Sequence, residues 1–447
     1  MTRALLESIF RDTLIEVDPY RATRAAVAEL NFDKPEPMSA IAIGKGGHAM
    51  LRAAIDALTE RGSGLRAAIV IAPEEGGPYP PYVRQAVGDH PVPGERSLAA
   101  ADSLGEWLAE HPPDGRVLVL ISGGTTSLVA APVESIAMSD LAQLFERLLA
   151  SGADIVTMNA IRKRVLRWGA GRLAVALAPR RVDLFLASDV LGDDPSYIGS
   201  GPCSGDSLTA AKVRRMLERA GGLTALPISV RFYLDDVHHQ RKPETPKPGS
   251  AIFRAVTTQV VLSNKNAVQG AVRSAGERGL RPVRRIERPL IGEAKDVGTD
   301  LAIRLVAWRQ QLIADGAPAD TFACTVAGGE STVTLGLVQK GHGGRCQEVA
   351  LAAARELDRL RPRSDEISLL VAATDGRDGP TDAAGAIVDS LTWSQVIAAG
   401  RNPEQDLTEH DSYDALDAAG ALVRTGLTGT NVNDVIVAVA RTIAVAS

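Results

Sequence analysis

Ser39-Ala40-Ile41-Ala42-Ile43-Gly44-Lys45-Gly46-Gly47-His48-Ala49-Met50 (SAIAIGKGGHAM) decides the fold class. Residues 40–43 are a short apolar run rich in β-branched side chains, which reads as a buried strand. The run stops at four residues containing three glycines, and residues 49–58 then carry the apolar spacing of a helix. A strand, a glycine turn and a helix start bring backbone N–H groups close to an anion, and Lys45 adds a full positive charge at the same place. The stretch therefore reads as a phosphate or carboxylate site. A glycine turn with a surface lysine also arises for geometry alone, so recurrence is what strengthens the functional reading.

The pattern recurs at VLVLISGG (117–124), LFLASDVLGDD (184–194), FACTVAGGE (322–330) and SLLVAATDGRD (368–378). Strand ends of an open parallel α/β sheet converge on one edge, where ligands bind. With 447 residues, 45% of them hydrophobic, the chain exceeds what one core usually supports. The expected fold is α/β with two α/β domains. Residues 1–240 form a Rossmann-like domain with a mainly parallel sheet, and residues 241–447 a smaller mixed-sheet domain. The active site is expected in the cleft between them, and the stretch after Thr425 is expected to pack back on the first domain. The Pro- and charge-rich residues 235–250 (DDVHHQRKPETPKPGS) read as a linker.

A net charge of −5 carries no polyanion-binding signature, which argues against nucleic acid. Three scattered cysteines suit neither a disulfide framework nor a cysteine zinc cluster, and fit a cytoplasmic protein. No apolar run reaches membrane-spanning length, so no membrane partner is expected.

Further candidates lie along the chain. Residues 4–17 and 19–30 read as amphipathic helices beside the first strand. His90 sits in a proline-stiffened loop, where bonding to its own backbone is the commoner role and proton transfer the rarer one. Ser122-Gly123-Gly124-Thr125-Thr126-Ser127 reads as a second anion cradle, built from N–H and O–H donors. Residues 154–177 read as one helix bearing Asn159, Arg162, Lys163, Arg164 and Arg167, mostly as solvated surface. Asp189, Asp193 and Asp194 at a strand end make a hard-oxygen environment suited to Mg²⁺. After residues 321–327, Gly328-Gly329-Glu330-Ser331 reads as a turn into a return strand at 332–337. Arg345 follows another glycine turn and offers a fixed fork for phosphate.

These parts suit phosphoryl transfer, in which a protein mainly positions groups and neutralises oxygens. The signatures G-x-x-x-x-G-K-[ST], H-R-D and D-F-G are all missing. The rival is an NAD(P)H-dependent reductase, since Gly44, Gly46 and Ala49 satisfy G-x-G-x-x-G/A and Glu74 or Glu75 ends the next strand. A non-catalytic anion-binding protein leaves the repeated carboxylates unexplained.

The ordered motifs AIGKGG, DHPVPGERS, LISGGTTSL, NAIRKRV, ASDVLGDDPSYIGSGP, AGGE, GGRCQE, TDGRDGPTDAAG and TGLTGTNVND span nearly the whole chain. Together they resemble the glycerate 2-kinase family, whose C-terminal part is called the MOFRL domain and some of whose members are labelled hydroxypyruvate reductase, which makes the rival an NAD(P)H-dependent hydroxypyruvate reductase. The resemblance implies phosphorylation of D-glycerate at its 2-hydroxyl with ATP and Mg²⁺, by a monomer or homodimer. It implies Lys45 and Arg345 as the cations on the transferred phosphoryl group, with Asp189 and Asp193 as metal or hydroxyl-orienting groups. Gly44, Gly46, Ser122, Gly123, Gly124, Thr125, Asn264, Gly328, Glu330, Gly344, Asp375, Thr430 and Asn431 are the candidate substrate- and nucleotide-binding positions. Cys346 departs from the asparagine usual in the family.

Overall fold

The computed structural model describes residues 2–31, 37–150, 155–219, 226–335, 341–361 and 366–442. The chain divides into two units, Pro19–Val261 and Met1–Asp18 with Leu262–Ser447. Helix α1 (Thr2–Glu16) thus precedes the first unit in sequence but belongs to the second.

The first unit contains α2 (Pro19–Ala28), β1 (Met38–Ile43), α3 (Gly47–Glu60), β2 (Ala67–Ala72), β3 (Val83–Val87), α4 (Glu95–Glu110), β4 (Arg116–Ile121) and the short α5 (Thr125–Leu128). It continues through α6 (Met138–Ala150), α7 (Ile155–Val165), α8 (Arg172–Leu177), β5 (Arg181–Ala187), α9 (Ala210–Arg219), α10 (Ile228–His238) and β6 (Val256–Leu262). The sheet order is β3-β2-β1-β4-β5-β6, with parallel pairing from β3 through β5. Every residue of β1, β2 and β4 is buried, which is why these strands read as unbroken apolar runs rather than alternating ones. The helix expected over 154–177 is two. Leu166 bridges to Pro132, and the chain then turns through Ala170 (φ 51°) and Gly171 (φ 82°) before α8.

The second unit adds α11 (Asn264–Glu277), β7 (Val283–Arg285), β8 (Leu290–Glu293), α12 (Ala294–Ala314), β9 (Phe322–Thr332), α13 (Arg345–Leu360) and β10 (Ile367–Ala373). It closes with β11 (Gly385–Asp389), α14 (Thr392–Ala398), α15 (Pro403–Thr408), α16 (Ser412–Ala418), β12 (Leu422–Val423) and β13 (Asp434–Arg441). Its sheet runs β12-β11-β10-β13-β9-β7, with β8 also paired to β9. Strands β7 and β8 run parallel to β9 and the other pairings are antiparallel, so the sheet is mixed as expected.

Two boundaries differ from the sequence expectation. Arg3 donates to the carbonyls of Gly420 (3.0 Å) and Leu422 (2.7 Å), and Asp12 accepts from Ser274 (2.9 Å), which ties α1 to the second unit. Residues 241–261 stay with the first unit because β6 completes its sheet. Strand β13 lies between β10 and β9 in the sheet of the second unit.

Gly328 to Ser331 form no turn but continue β9, in register with β8 from Leu290↔Gly329 to Glu293↔Thr332. A Cβ on Gly329 would lie 2.1 Å from the Leu290 carbonyl oxygen, so glycine here serves close strand approach. Of the return strand expected at 332–337, residues 336 and 337 lie outside the described residues. Among the described residues no helix is long and apolar enough to cross a membrane.

Helices α12 and α13 cross closely at Gly298, where a Cβ would fall 2.2 Å from the Val349 carbonyl oxygen and 3.0 Å from the Ala353 nitrogen. Backbone cannot yield as a side chain does. Gly298→Ala is therefore expected to destabilise the protein by about 2–3 kcal/mol, read as a lower urea midpoint at unchanged m-value.

Candidate active site

In the order β3-β2-β1-β4-β5-β6 the strand sequence reverses between β1 and β4, and at such a switch point ligands bind beyond the carboxyl ends of the strands. The GKG turn follows β1 and the SGG turn follows β4, and the two are joined by hydrogen bonds. Ser122 N–H donates to the Ile43 carbonyl (3.0 Å), Lys45 N–H to the Gly123 carbonyl (2.8 Å), and Gly46 N–H to Ser122 Oγ (2.9 Å). Gly44 adopts φ 131°, and a Cβ there would lie 2.1 Å from Ser122 Oγ. Only glycine admits both the dihedral and the approach. Lys45 emerges half-buried from this joint.

The four hydroxyls expected to cradle an anion have partners within the protein. Ser122 accepts from Gly46, Thr125 Oγ1 donates to the carbonyls of Ile43 (2.9 Å) and Ser122 (2.7 Å), Thr126 pairs with Ser200 (2.9 Å), and Ser127 donates to the Pro91 carbonyl (2.8 Å). They brace the turn. Gly124, at φ 88°, carries the chain into α5.

Asp189 and Asp193 follow β5, both half-buried. Asp193 adopts φ 58° and its N–H donates to the Val190 carbonyl (3.1 Å), while the Asp194 carboxylate accepts from Ser196 N–H (2.8 Å) and serves the next turn. Among the described residues no three His, Cys, Asp or Glu side chains form a metal-ligand group. Two carboxylates at a strand end still fit Mg²⁺, which takes one or two carboxylates together with substrate phosphates.

The basic run on α7 is not surface. Lys163 and Arg164 are 2% and 1% exposed, and Asp206 bonds both, at 3.0 Å and 2.9 Å. Arg164 also meets Glu244 at 2.6 Å, which pins the residues read as a linker. Burial pushes the Asp206 carboxyl up, but Arg164 and Lys163 more than offset this and hold it below the usual range. Helical spacing alone does not reveal a buried cation; the missing information is a distant acid.

In the second unit, Arg345 begins α13. Its guanidinium binds Asp434 at both oxygens (2.7 Å and 2.9 Å) and Glu330 at 2.7 Å. Burial pulls the Arg345 pKa down, yet the Asp434 charge outweighs it and the net direction is upward. The Asp434 carboxyl is itself raised by burial, against the pull of Arg345. Asp378, 2% exposed, caps α13 by accepting from the N–H groups of Cys346 (3.1 Å) and Gln347 (2.8 Å). Burial first and Asp434 second push its carboxyl up to about 7. Gly344 is extended, and a Cβ there would meet Asp378 at 2.3 Å. Cys346 is fully buried beneath this group, so its side chain offers no surface to a ligand.

Asn264 donates to the carbonyls of Val432 (2.8 Å) and Asp434 (3.0 Å), and a Cβ on Gly328 would meet Asn264 Oδ1 at 1.7 Å. Asn431 Oδ1 accepts from Asn433 N–H (3.2 Å), and Asp375 Oδ1 from Arg377 N–H (3.1 Å). Thr430 is 4% exposed. These candidates order the loops before β13 and after β10. The sequence reading missed Asp378 and Asp434, both inside motifs it quoted, because spacing does not say which aspartate turns inward.

Two family models match the chain, the domain of unknown function DUF4147 over residues 5–235 and the MOFRL family over residues 323–434. The D-glycerate 2-kinase of Thermotoga maritima is 33% identical over 97% of this chain and 97% of its own. The glycerate 2-kinase of Pyrococcus horikoshii is 33% identical over 94% of this chain and 93% of its own. The crystal structure of glycerate kinase from Thermotoga maritima matches with a TM-score of 0.82 at 32% identity, covering 98% of this chain and 99% of that one. The chain belongs to the glycerate 2-kinase family. A putative hydroxypyruvate reductase of Agrobacterium vitis, 38% identical over 77% of this chain and 75% of its own, is also similar to this glycerate 2-kinase family member.

Removing Arg345 strands the Asp434 charge, which is 3% exposed. Arg345→Ala is expected to cost about 3–5 kcal/mol of stability at neutral pH, measured by urea unfolding. Asp378 holds its proton more tightly folded than unfolded, where its value is near 3.8. The stabilisation this brings is complete below about pH 4 and is lost as pH rises through about 7. Asp378→Asn should remove that component from the urea midpoint measured across this range.

Proposed function

We propose that this chain transfers the terminal phosphoryl group of ATP to the 2-hydroxyl of D-glycerate, giving 2-phosphoglycerate and ADP. The observation that carries this is near-full-length likeness to two glycerate 2-kinases. The switch-point geometry of the first unit supports it, because a cation there stands on two backbone turns joined beyond the carboxyl ends of β1 and β4.

Lys45 neutralises charge on the transferred phosphoryl oxygens, the main demand of a loose transition state. Gly44, Gly46, Gly123 and Gly124 keep the two turns free of Cβ atoms, and Ser122 and Thr125 hold the turns in register. Asp189 and Asp193 hold Mg²⁺, which when bound offsets phosphate charge; Asp189 also orients the hydroxyl. Arg345, with Glu330 and Asp434 on three of its five N–H groups, keeps one N–H on each terminal nitrogen for phosphate.

Purified protein with Mg-ATP and D-glycerate is expected to yield ADP and 2-phosphoglycerate, identified by isomer-specific assay. NADH consumption with hydroxypyruvate and no ADP would select the reductase instead. Lys45→Ala is expected to lower kcat by about 100-fold or more, the scale of lost transition-state charge stabilisation. Near-normal turnover removes Lys45 from the mechanism.

A further inference from the structure

The loop between β3 and α4 carries His90 and leaves the edge of the parallel sheet, yet it reaches the centre. Strand β3 is separated from β4 by β2 and β1. A Cβ on Gly88 would lie 2.2 Å from the Leu128 carbonyl oxygen, so the loop lies against the end of α5. A Cβ on Gly124 would lie 3.0 Å from His90 Cδ2, 3.3 Å from His90 Nε2 and 3.3 Å from Lys45 Cγ. The Nε2 edge of His90 and the side chain of Lys45 therefore both flank the position a Gly124 Cβ would occupy, in the turn at the switch point.

The loop is braced on both sides of the histidine. Asp89 accepts from Arg96 Nε (2.6 Å) and Arg96 N–H (3.0 Å), and its own N–H donates to Ser97 Oγ (3.0 Å). Ser127 Oγ donates to the Pro91 carbonyl (2.8 Å). His90 between these clamps is exposed, so a substrate can reach it. A loop histidine serving only its own fold has no need of transport across two strands to a catalytic lysine.

We propose that His90 is a catalytic residue whose imidazole accepts the proton of the substrate hydroxyl as the phosphoryl group moves. The inference rests on the kinase function proposed above. The bond that forms joins the 2-oxygen of D-glycerate to the terminal phosphorus of ATP. The bond that breaks is from that phosphorus to the bridging oxygen, which leaves on ADP with the electron pair. The hydroxyl proton passes to a ring nitrogen of His90 and then to solvent. Lys45 holds the phosphoryl oxygens and His90 serves the nucleophile, two roles that one turn can place side by side.

His90→Gln and His90→Asn should lower kcat on the order of 100-fold, as for loss of a general base, with KM for ATP unchanged. In His90→Ala, added imidazole should restore part of the lost kcat, which a purely structural role would not permit. A wild-type kcat in the Gln and Asn variants overturns the proposal, as does a loss confined to KM for D-glycerate. Absence of imidazole rescue in a folded His90→Ala protein also overturns it, and if that variant fails to fold the Gln and Asn pair decides. Failure of the wild-type protein to form 2-phosphoglycerate overturns the kinase function; an active wild type with fully active His90 variants overturns only this step.

Discussion

The first unit depends on the close approach of two backbone turns at Gly44 and Ser122. Parallel pairing brings Ile43 level with Ile121, but continuing both strands would leave their ends without shape. The chain instead joins the turns by hydrogen bonds, two backbone to backbone, one to Ser122 Oγ and one from Thr125 Oγ1. No side chain fits at Gly44, since the space is filled by Ser122. The consequence is directional: a lysine one residue after that joint has its backbone held from both strands, so its charge is delivered to the switch point with little backbone freedom left to lose.

Cations are tied to acids in both units. Lys163 and Arg164 are buried and tied to acids, and their role is to hold α7 against the residues around Asp206 and Glu244. Such pairs add little net stability over well-packed apolar residues, but losing one partner is costly, so they fix an arrangement more than they strengthen it. Arg345 belongs to the same type, because Asp434 and Glu330 already hold its fork. Lys45 projects from a turn shaped by glycines.

Much of this was legible in the sequence where local chemistry and global fold agree. Buried parallel strands read as unbroken apolar runs, and the turn after each run marks the carboxyl end of a strand, as at Lys45 after β1 and Asp189 after β5. The reading failed where a residue's role is set by a distant partner. Gly328 and Gly329 look like a turn but sit inside β9, because Asn264 and Leu290 need the space. The hydroxyls of residues 122–127 look like ligand donors but brace the turn. The run 162–164 looks like surface, because the acids that bury it lie more than forty residues away in Asp206 and more than seventy in Glu244. Helix α1 is amphipathic in either unit, and only the Arg3 and Asp12 contacts assign it.

The acids around Arg345 also bear on which form of phosphate suits it. Asp434, Glu330 and Asp378 outnumber the single guanidinium, and with all three ionised the local charge is negative. A bare phosphate approaching the two remaining N–H groups meets that excess before it meets a net cation. A proton on Asp378, whose carboxyl burial and Asp434 push up to about 7, lessens that excess without removing it, since Asp434 and Glu330 still outnumber the guanidinium. An anion that brings a cation with it would therefore meet less repulsion at Arg345 than a bare one.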